Sequence, residues 1–211
     1  MDKPVLRFNK NGKFRILMVS DFHLGKNNKL KEDYNYKVIK GLDALLEETK
    51  DITMYWYNPN IHPEFEWNRR LENLQKVSEH YGLELITQEG FMQDYWESKK
   101  YLDEYVSRCK MCYDVRLDMV AKYASENGFD SFTTTLLVSP YQQHDVITSV
   151  AKEKADKYGV RFDYYDFRPG FREGQNMARE IGLYRQKYCG CIFSLDESDF
   201  REKILKSFET K

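Results

Sequence analysis

The sequence predicts an α/β fold: a mainly parallel sheet flanked by helices, in one Rossmann-like domain. Three observations carry this. Strand-like segments alternate with segments of helical period along the chain. No internal repeat or low-complexity linker divides it. Its 211 residues suit one domain, or one domain with an appendage. In order, "KFRILMVSD" reads as a buried strand around Ile16 to Val19, and the polar loop "DFHLGKNNK" follows. Tyr36 to Glu48 has helical spacing, with Val38, Leu42, Leu45 and Leu46 on one face. "DITMYWYNPN" is a second strand, ended by Asn58-Pro59. "HPEFEWNRRLENLQKVSEHYG" is a helix that stops at Gly82, and "LELIT" is a third strand. Phe91 to Lys122 reads as mostly helical, and "FDSFTTTLL" as a fourth strand. "SPYQQHDVITSVAKEKADKYG" reads as a helix with Ser139 as N-cap and Pro140 at its first position. "VRFDYYDF" is a fifth strand, and Gln175 to Leu183 a further helix. Ligands in such sheets bind at the carboxyl ends of strands, so the loops after Val19, Tyr57, Leu137 and Asp166 are the places to look.

Composition narrows the class. Formal net charge is −1, from 33 basic and 34 acidic residues, so bulk charge draws the chain to neither nucleic acid nor membrane, and any such contact needs a local patch. Hydrophobic residues make up 41%, with 16 Tyr and 13 Phe, which supports an ordered core. No apolar run is long enough to span a bilayer, and the N-terminus lacks a secretory layout. A cytoplasmic protein is expected. In that compartment paired cysteines are more often metal ligands or redox centres than structural disulfides.

The four cysteines fall in two tight pairs. Cys109 and Cys112, in "RCKMCYDVRL", share one face of a helix and can grip one metal or cluster edge; half-buried thiols on an amphipathic helix would look the same. Cys189 and Cys191, in "YCGC", flank Gly190, which lets the backbone turn both thiols to one side. A bridge over so short a loop is strained and reducible, which suits catalysis, although a tight turn with two inert thiols has the same sequence. Arg185 and Lys187 stand close enough in sequence to lower a thiol pKa. "YDFRPGFREGQ" sets Asp166, Arg168 and Arg172 at a strand end among aromatics, a pattern that holds phosphate and a stacked base, or makes a plain solvated loop. His62, His80 and His144 are lone histidines with no ligand pattern. Asp21 and His23, in "SDFHLG", follow a buried strand as the first ligands of some metal hydrolases do.

The segments "YWYNPNIHP", "RCKMCYDVRL", "FDSFTTTLLVSPYQQHD" and "YDFRPGFREGQNMAREIGLYRQKYCGCIFS" carry a specific likeness. From about Ile52 to Glu197 the sequence resembles the QueH family of epoxyqueuosine reductases. The resemblance implies reduction of the epoxide of epoxyqueuosine to queuosine, at the wobble position of tRNA, with an iron–sulfur cluster and without cobalamin. It implies that Cys109 and Cys112 match a pair that ligates a [4Fe–4S] cluster. It implies that Cys189 and Cys191 match a redox-active pair, so that "YCGC" is a dithiol that can close to a disulfide beside the cluster. The partners implied are tRNA carrying epoxyqueuosine and an electron donor. Removing an epoxide oxygen takes two electrons, which a cluster and a dithiol together supply. Asp166, Arg168, Arg172 and Arg185 are then the expected contacts to the anticodon nucleotide.

The sequence departs from this family at its start. The family normally supplies two further cluster ligands from adjacent cysteines in its first loop, and none stand here. Instead "FRILMVSDFHLG" and "YKVIKGLDALLEETKD" resemble the opening of a calcineurin-like metallophosphoesterase, which implies a segment over 1–50 joined to a reductase domain over 51–211. Asp21 and His23 are then a vestigial metal site able to hold an additional iron. The expected consequence is a weakly or incompletely held cluster and impaired turnover. A non-enzymatic tRNA- or metal-binding remnant, or a metallophosphoesterase fragment resting on Asp21 and His23, are the competing readings.

Overall fold

The structure is a computed structural model, which describes residues 16–19, 52–92, 96, 101–180 and 182–209. Five parallel strands form one sheet: β1 (Ile16–Val19), β2 (Ile52–Trp56), β3 (Glu84–Thr87), β4 (Ser131–Thr134) and β5 (Arg161–Phe162), in the order β3-β2-β1-β4-β5. β1 is central, with Ile16 opposite Ile52 on one side and Ser131 on the other. The chain winds outward from β1 through β2 and β3, then returns to β4 beside β1. That reversal is the topological switch point, where open α/β sheets place ligands. All five residues of β2 are buried, which is the pattern of a parallel strand covered on both faces. Met54, Tyr55, Trp56, Leu117, Phe132 and Ile147 form the centre of the core.

Among the described residues the helices are α1 (Glu64–Tyr81), α2 (Tyr101–Glu104), α3 (Arg108–Glu126), α4 (His144–Tyr158), α5 (Phe171–Glu180), α6 (Ile192–Asp196) and α7 (Arg201–Glu209). α1 ends as expected at Gly82, in the left-handed conformation with φ 63° that glycine adopts without cost.

Five expectations change, the first being the fifth strand, read across "VRFDYYDF" but confined to Arg161–Phe162. The helix read across Phe91 to Lys122 is interrupted before Ser107, whose hydroxyl accepts the Lys110 N–H and caps α3. The fourth strand stops at Thr134, where the Thr134 hydroxyl accepts the Leu136 N–H and starts a 3₁₀ turn over Thr135–Val138. α4 starts at His144 rather than after Ser139, because Ser139 is spent on a turn: its hydroxyl accepts the Tyr141 N–H and its carbonyl the Gln142 N–H. α5 begins at Phe171, ahead of the expected Gln175. The helix expected over 36–48, and the loop with Asp21 and His23, lie outside the described residues.

Candidate active site

Three pieces of chain meet at the carboxyl edge of the sheet: the start of α3, the turn between β4 and α4, and the loop from Gln186 to Ser194. They enclose a cavity of about 440 Å³, whose wall includes Arg108, Cys109, Gln142, Phe171, Cys189 and Cys191. Cys112 is buried behind it, packed with Cys191, Met92, Trp96 and Met111. Both cysteine pairs thus converge on one cleft, and none of the four cysteines is in a disulfide.

The Cys-Gly-Cys loop is held from its backbone. Arg70 on α1 donates to the carbonyls of Tyr188 and Cys189, each at 3.1 Å. The His62 N–H donates to the Gly190 carbonyl at 2.8 Å, and the Tyr188 hydroxyl donates to the His62 carbonyl. The Gly190 N–H donates to the Ser194 hydroxyl, which donates in turn to the Cys191 carbonyl. Gly190 has φ 129°, a backbone shape that side chains rarely adopt. Upstream, Asn73 exchanges two hydrogen bonds with the backbone of Tyr184, and the Arg69 guanidinium lies 3.7 Å from that ring's centre. These contacts lay the whole segment along α1.

The thiols feel burial and one another. Burial pushes the Cys109 thiol up, Cys191 adds to this, and the Arg108 guanidinium pulls against both. Burial drives Cys112 far above the usual thiol range, opposed by the hydrogen-bonded Arg116 guanidinium and reinforced by Cys189 and Cys191. Arg116 is itself buried and donates to the Asn58 side chain at 2.6 Å. Burial thus favours the neutral thiol at Cys109 and Cys112, and a bound cation would reverse that preference.

The expected substrate contacts are arranged differently from the cysteines. Arg168 is engaged by Asp166 through two side-chain hydrogen bonds, 2.8 and 2.7 Å long, in an exposed pair. None of Asp166, Arg168, Arg172 and Arg185 is among the described residues that line the cavity; Lys187 and Lys203 are. From the loop read as basic and aromatic, Phe171 is the residue that reaches the wall, where Tyr141 meets it edge-on at 6.0 Å. The buried His144 ring hydrogen-bonds the Leu137 carbonyl. Asp21 and His23 lie outside the described residues.

The donor set decides what fits. A cubane normally takes four thiolates. Cys109 and Cys112 present two soft donors from the first turns of α3, with Arg108 and Arg116 to offset negative charge. Among the described residues no group of three or more Cys, His, Asp and Glu side chains is placed to hold a metal ion. The described residues therefore form an incomplete cradle for a [4Fe–4S] cluster.

Sequence reasoning passed over Glu66, Arg70, Tyr113, Arg116 and Gln142. Helical register held the signal for two of them. Arg70 falls in step with the buried Leu74 and Val77, and Arg116 with the buried Cys112 and Val120, so each charge sits on an apolar stripe.

The sequence is similar to known proteins over most of its length. The family profile described as "Epoxyqueuosine reductase QueH" matches residues 37–197. Similar relatives of that name include those of Dehalococcoides mccartyi, 40% identical over 68% of this chain and 78% of its own, and Thermotoga maritima, 39% identical over 73% and 83%. The Haemophilus influenzae relative is 32% identical over 77% of this chain and 69% of its own. The match starts at residue 37, inside the segment read as metallophosphoesterase-like, and these likenesses give that reading no support. By shared sequence, the chain belongs to the epoxyqueuosine reductase QueH family.

Proposed function

We propose that this chain is an epoxyqueuosine reductase, an oxidoreductase that acts on tRNA carrying epoxyqueuosine, with Cys189 and Cys191 as the electron-donating pair. The observation that carries this is the shared cavity, whose wall includes both Cys189 and Cys191 beside aromatic and amide side chains. The half-reactions balance. An epoxide takes up two electrons and two protons and becomes an alkene and water. Two thiols give up two electrons and two protons and become a disulfide. An external reductant, a dithiol or a low-potential electron carrier, must then reopen the disulfide. Among the described residues no helix is long and apolar enough to cross a membrane.

The cavity supports roles for particular residues. Phe171 and Tyr141 offer ring faces and edges to a base. Lys187 and Lys203 at the cavity bring positive charge towards a phosphate backbone, with Arg172 and Arg185 as further candidates. Arg168, already occupied by Asp166, contributes less net charge. An iron–sulfur group held by Cys109 and Cys112 would supply single electrons beside the dithiol, with Arg108 and Arg116 compensating its charge.

The test is anaerobic incubation of the reduced protein with epoxyqueuosine-containing tRNA and a strong reductant, followed by nucleoside mass spectrometry. Queuosine is expected from the wild type, with loss in Cys189→Ser and Cys191→Ser. Turnover that survives both substitutions removes the dithiol from the reaction. Absence of queuosine from wild-type protein that retains the Cys109 and Cys112 centre leaves a tRNA-binding, non-enzymatic protein.

A further inference from the structure

We infer that Gln142, locked by Tyr113, is a positioning residue that makes Cys189 the entry thiol of the pair, with Cys191 as its resolving partner. The inference rests on the reading of Cys189 and Cys191 as a dithiol, and it adds a direction to that pair and two residues outside it.

Hydrogen-bond polarity carries the argument. The Tyr113 hydroxyl, on α3, accepts the Gln143 N–H at 3.3 Å. Its own hydrogen is therefore turned to Gln142 Oε1, 2.6 Å away. Oε1 is thus the end of the Gln142 amide held by Tyr113, and the NH₂ end faces the other way. There Nε2 lies 3.4 Å from Cys189 Sγ. The backbone supplies the second half of the clamp through Arg70 on the Cys189 carbonyl. The sulfur of Cys189 is thereby cast as an acceptor, the role that a thiolate fills better than a thiol.

Cys191 stands in a different setting. It is 8% exposed, in an apolar cluster with Met92, Trp96, Met111 and Cys112. Cys189 is half-buried and faces the cavity. An incoming oxidised group meets Cys189 first. The Cys189 sulfur opens the epoxide C–O bond and forms a C–S bond; Cys191 then attacks that sulfur, the S–S bond forms as the C–S bond breaks, the freed electron pair makes the alkene, and the oxygen leaves as water with the two thiol protons. Tyr113 is 3% exposed, and its register beside Cys112 couples the lock to the helix that carries the other thiol pair.

The experiment is limited alkylation of the reduced, anaerobically prepared full chain with iodoacetamide, read at each cysteine by peptide mass spectrometry. Cys189 is expected to label first in the wild type. Gln142→Met keeps the length and removes the donor; labelling of Cys189 should slow about threefold to tenfold, the span of one neutral hydrogen bond. Tyr113→Phe leaves Gln142 in place and frees its amide to flip, so a smaller slowing in the same direction is expected. Labelling of Cys191 ahead of Cys189, or an unchanged or faster rate at Cys189 in both variants, overturns the inference. A parallel oxidation with diamide, with the bridge mapped by mass spectrometry, keeps the two readings apart. A wild-type chain that forms no Cys189–Cys191 bridge defeats the dithiol reading. A bridge that forms while Cys189 ignores Gln142 defeats only the positioning role.

Discussion

Arg70 Nε lies 2.8 Å from Glu66 Oε1, one helical turn away, and the two side chains are only 5% and 0% exposed. The Tyr184 hydroxyl donates to both carboxylate oxygens of Glu66, at 3.1 and 3.0 Å. The remaining guanidinium nitrogens of Arg70 carry the backbone of the Cys-Gly-Cys loop. A buried ion pair adds little net stability by itself, because desolvation opposes the attraction. Its use here is geometric: five donors in a rigid fork fix two carbonyls and a carboxylate at once.

Arg70→Ala leaves Glu66 buried without its cation, so a loss of about 3–5 kcal/mol is expected in chemical denaturation. Arg70→Lys restores the charge and loses the fork. It should recover part of the stability, while Cys189 and Cys191 close to a disulfide more slowly than in the wild type. Equal bridge formation in Arg70→Lys would show that the fork does not set the loop.

Gly190 is fixed by space as well as by φ. A Cβ there would stand 3.1 Å from Arg70 Nη1 and 3.3 Å from Ile61 Cγ1. Gly190→Ala is expected to cost about 1–3 kcal/mol in backbone strain. It should also spread the two thiols, measured as a shift in the dithiol–disulfide equilibrium against glutathione. A variant with wild-type stability and equilibrium would mean that the loop relaxes freely.

The inner strands were legible because a parallel sheet imposes continuous apolar runs, as in "ILMV" and "ITMYW", whereas the strand order that makes the switch point was not. The thiol pairs were legible because thiols are few and their spacing is short. The start of α4 was not, because Ser139-Pro140 imitates a helix start while local bonds to the Ser139 side chain and carbonyl make a turn. That turn is what presents Gln142 to Cys189. The Arg70 clamp spans more than a hundred residues of sequence, and no local pattern joins α1 to the Cys-Gly-Cys loop.

Acid should loosen the contact between α3 and α4. Burial alone would raise the Asp118 carboxyl, but hydrogen bonds from Lys157 and Tyr158, at 2.7 Å each, and the charge of Lys154 bring it below its usual value. A depressed carboxylate contributes stability that is present above its unfolded pKa, near 3.9, and lost as pH falls through the lower folded value. Asp118→Asn should therefore be less stable than the wild type at pH 7, by up to about 1 kcal/mol for so exposed a pair. The gap between their urea midpoints should close below about pH 4. A gap that stays constant down to pH 2.5 would assign the difference to packing.

Iron binding is the sharpest test of the incomplete cradle. The chain has four cysteines in all, and two of them are the proposed dithiol. Cys109 and Cys112 alone offer two thiolates where a cubane normally takes four. Reconstitution of the reduced protein with iron and sulfide under anaerobic conditions should thus give well under four irons per chain, the content of one full cubane. Cys109→Ser or Cys112→Ser should remove most of the bound iron, because each takes away half of the soft donors. Cys189→Ser should leave the iron unchanged if that thiol is reserved for electron transfer. Full cubane occupancy that collapses in Cys189→Ser would show instead that the Cys-Gly-Cys sulfurs are recruited as ligands. No thiol would then remain to form a disulfide, and the electrons for the epoxide would have to come from the cluster alone.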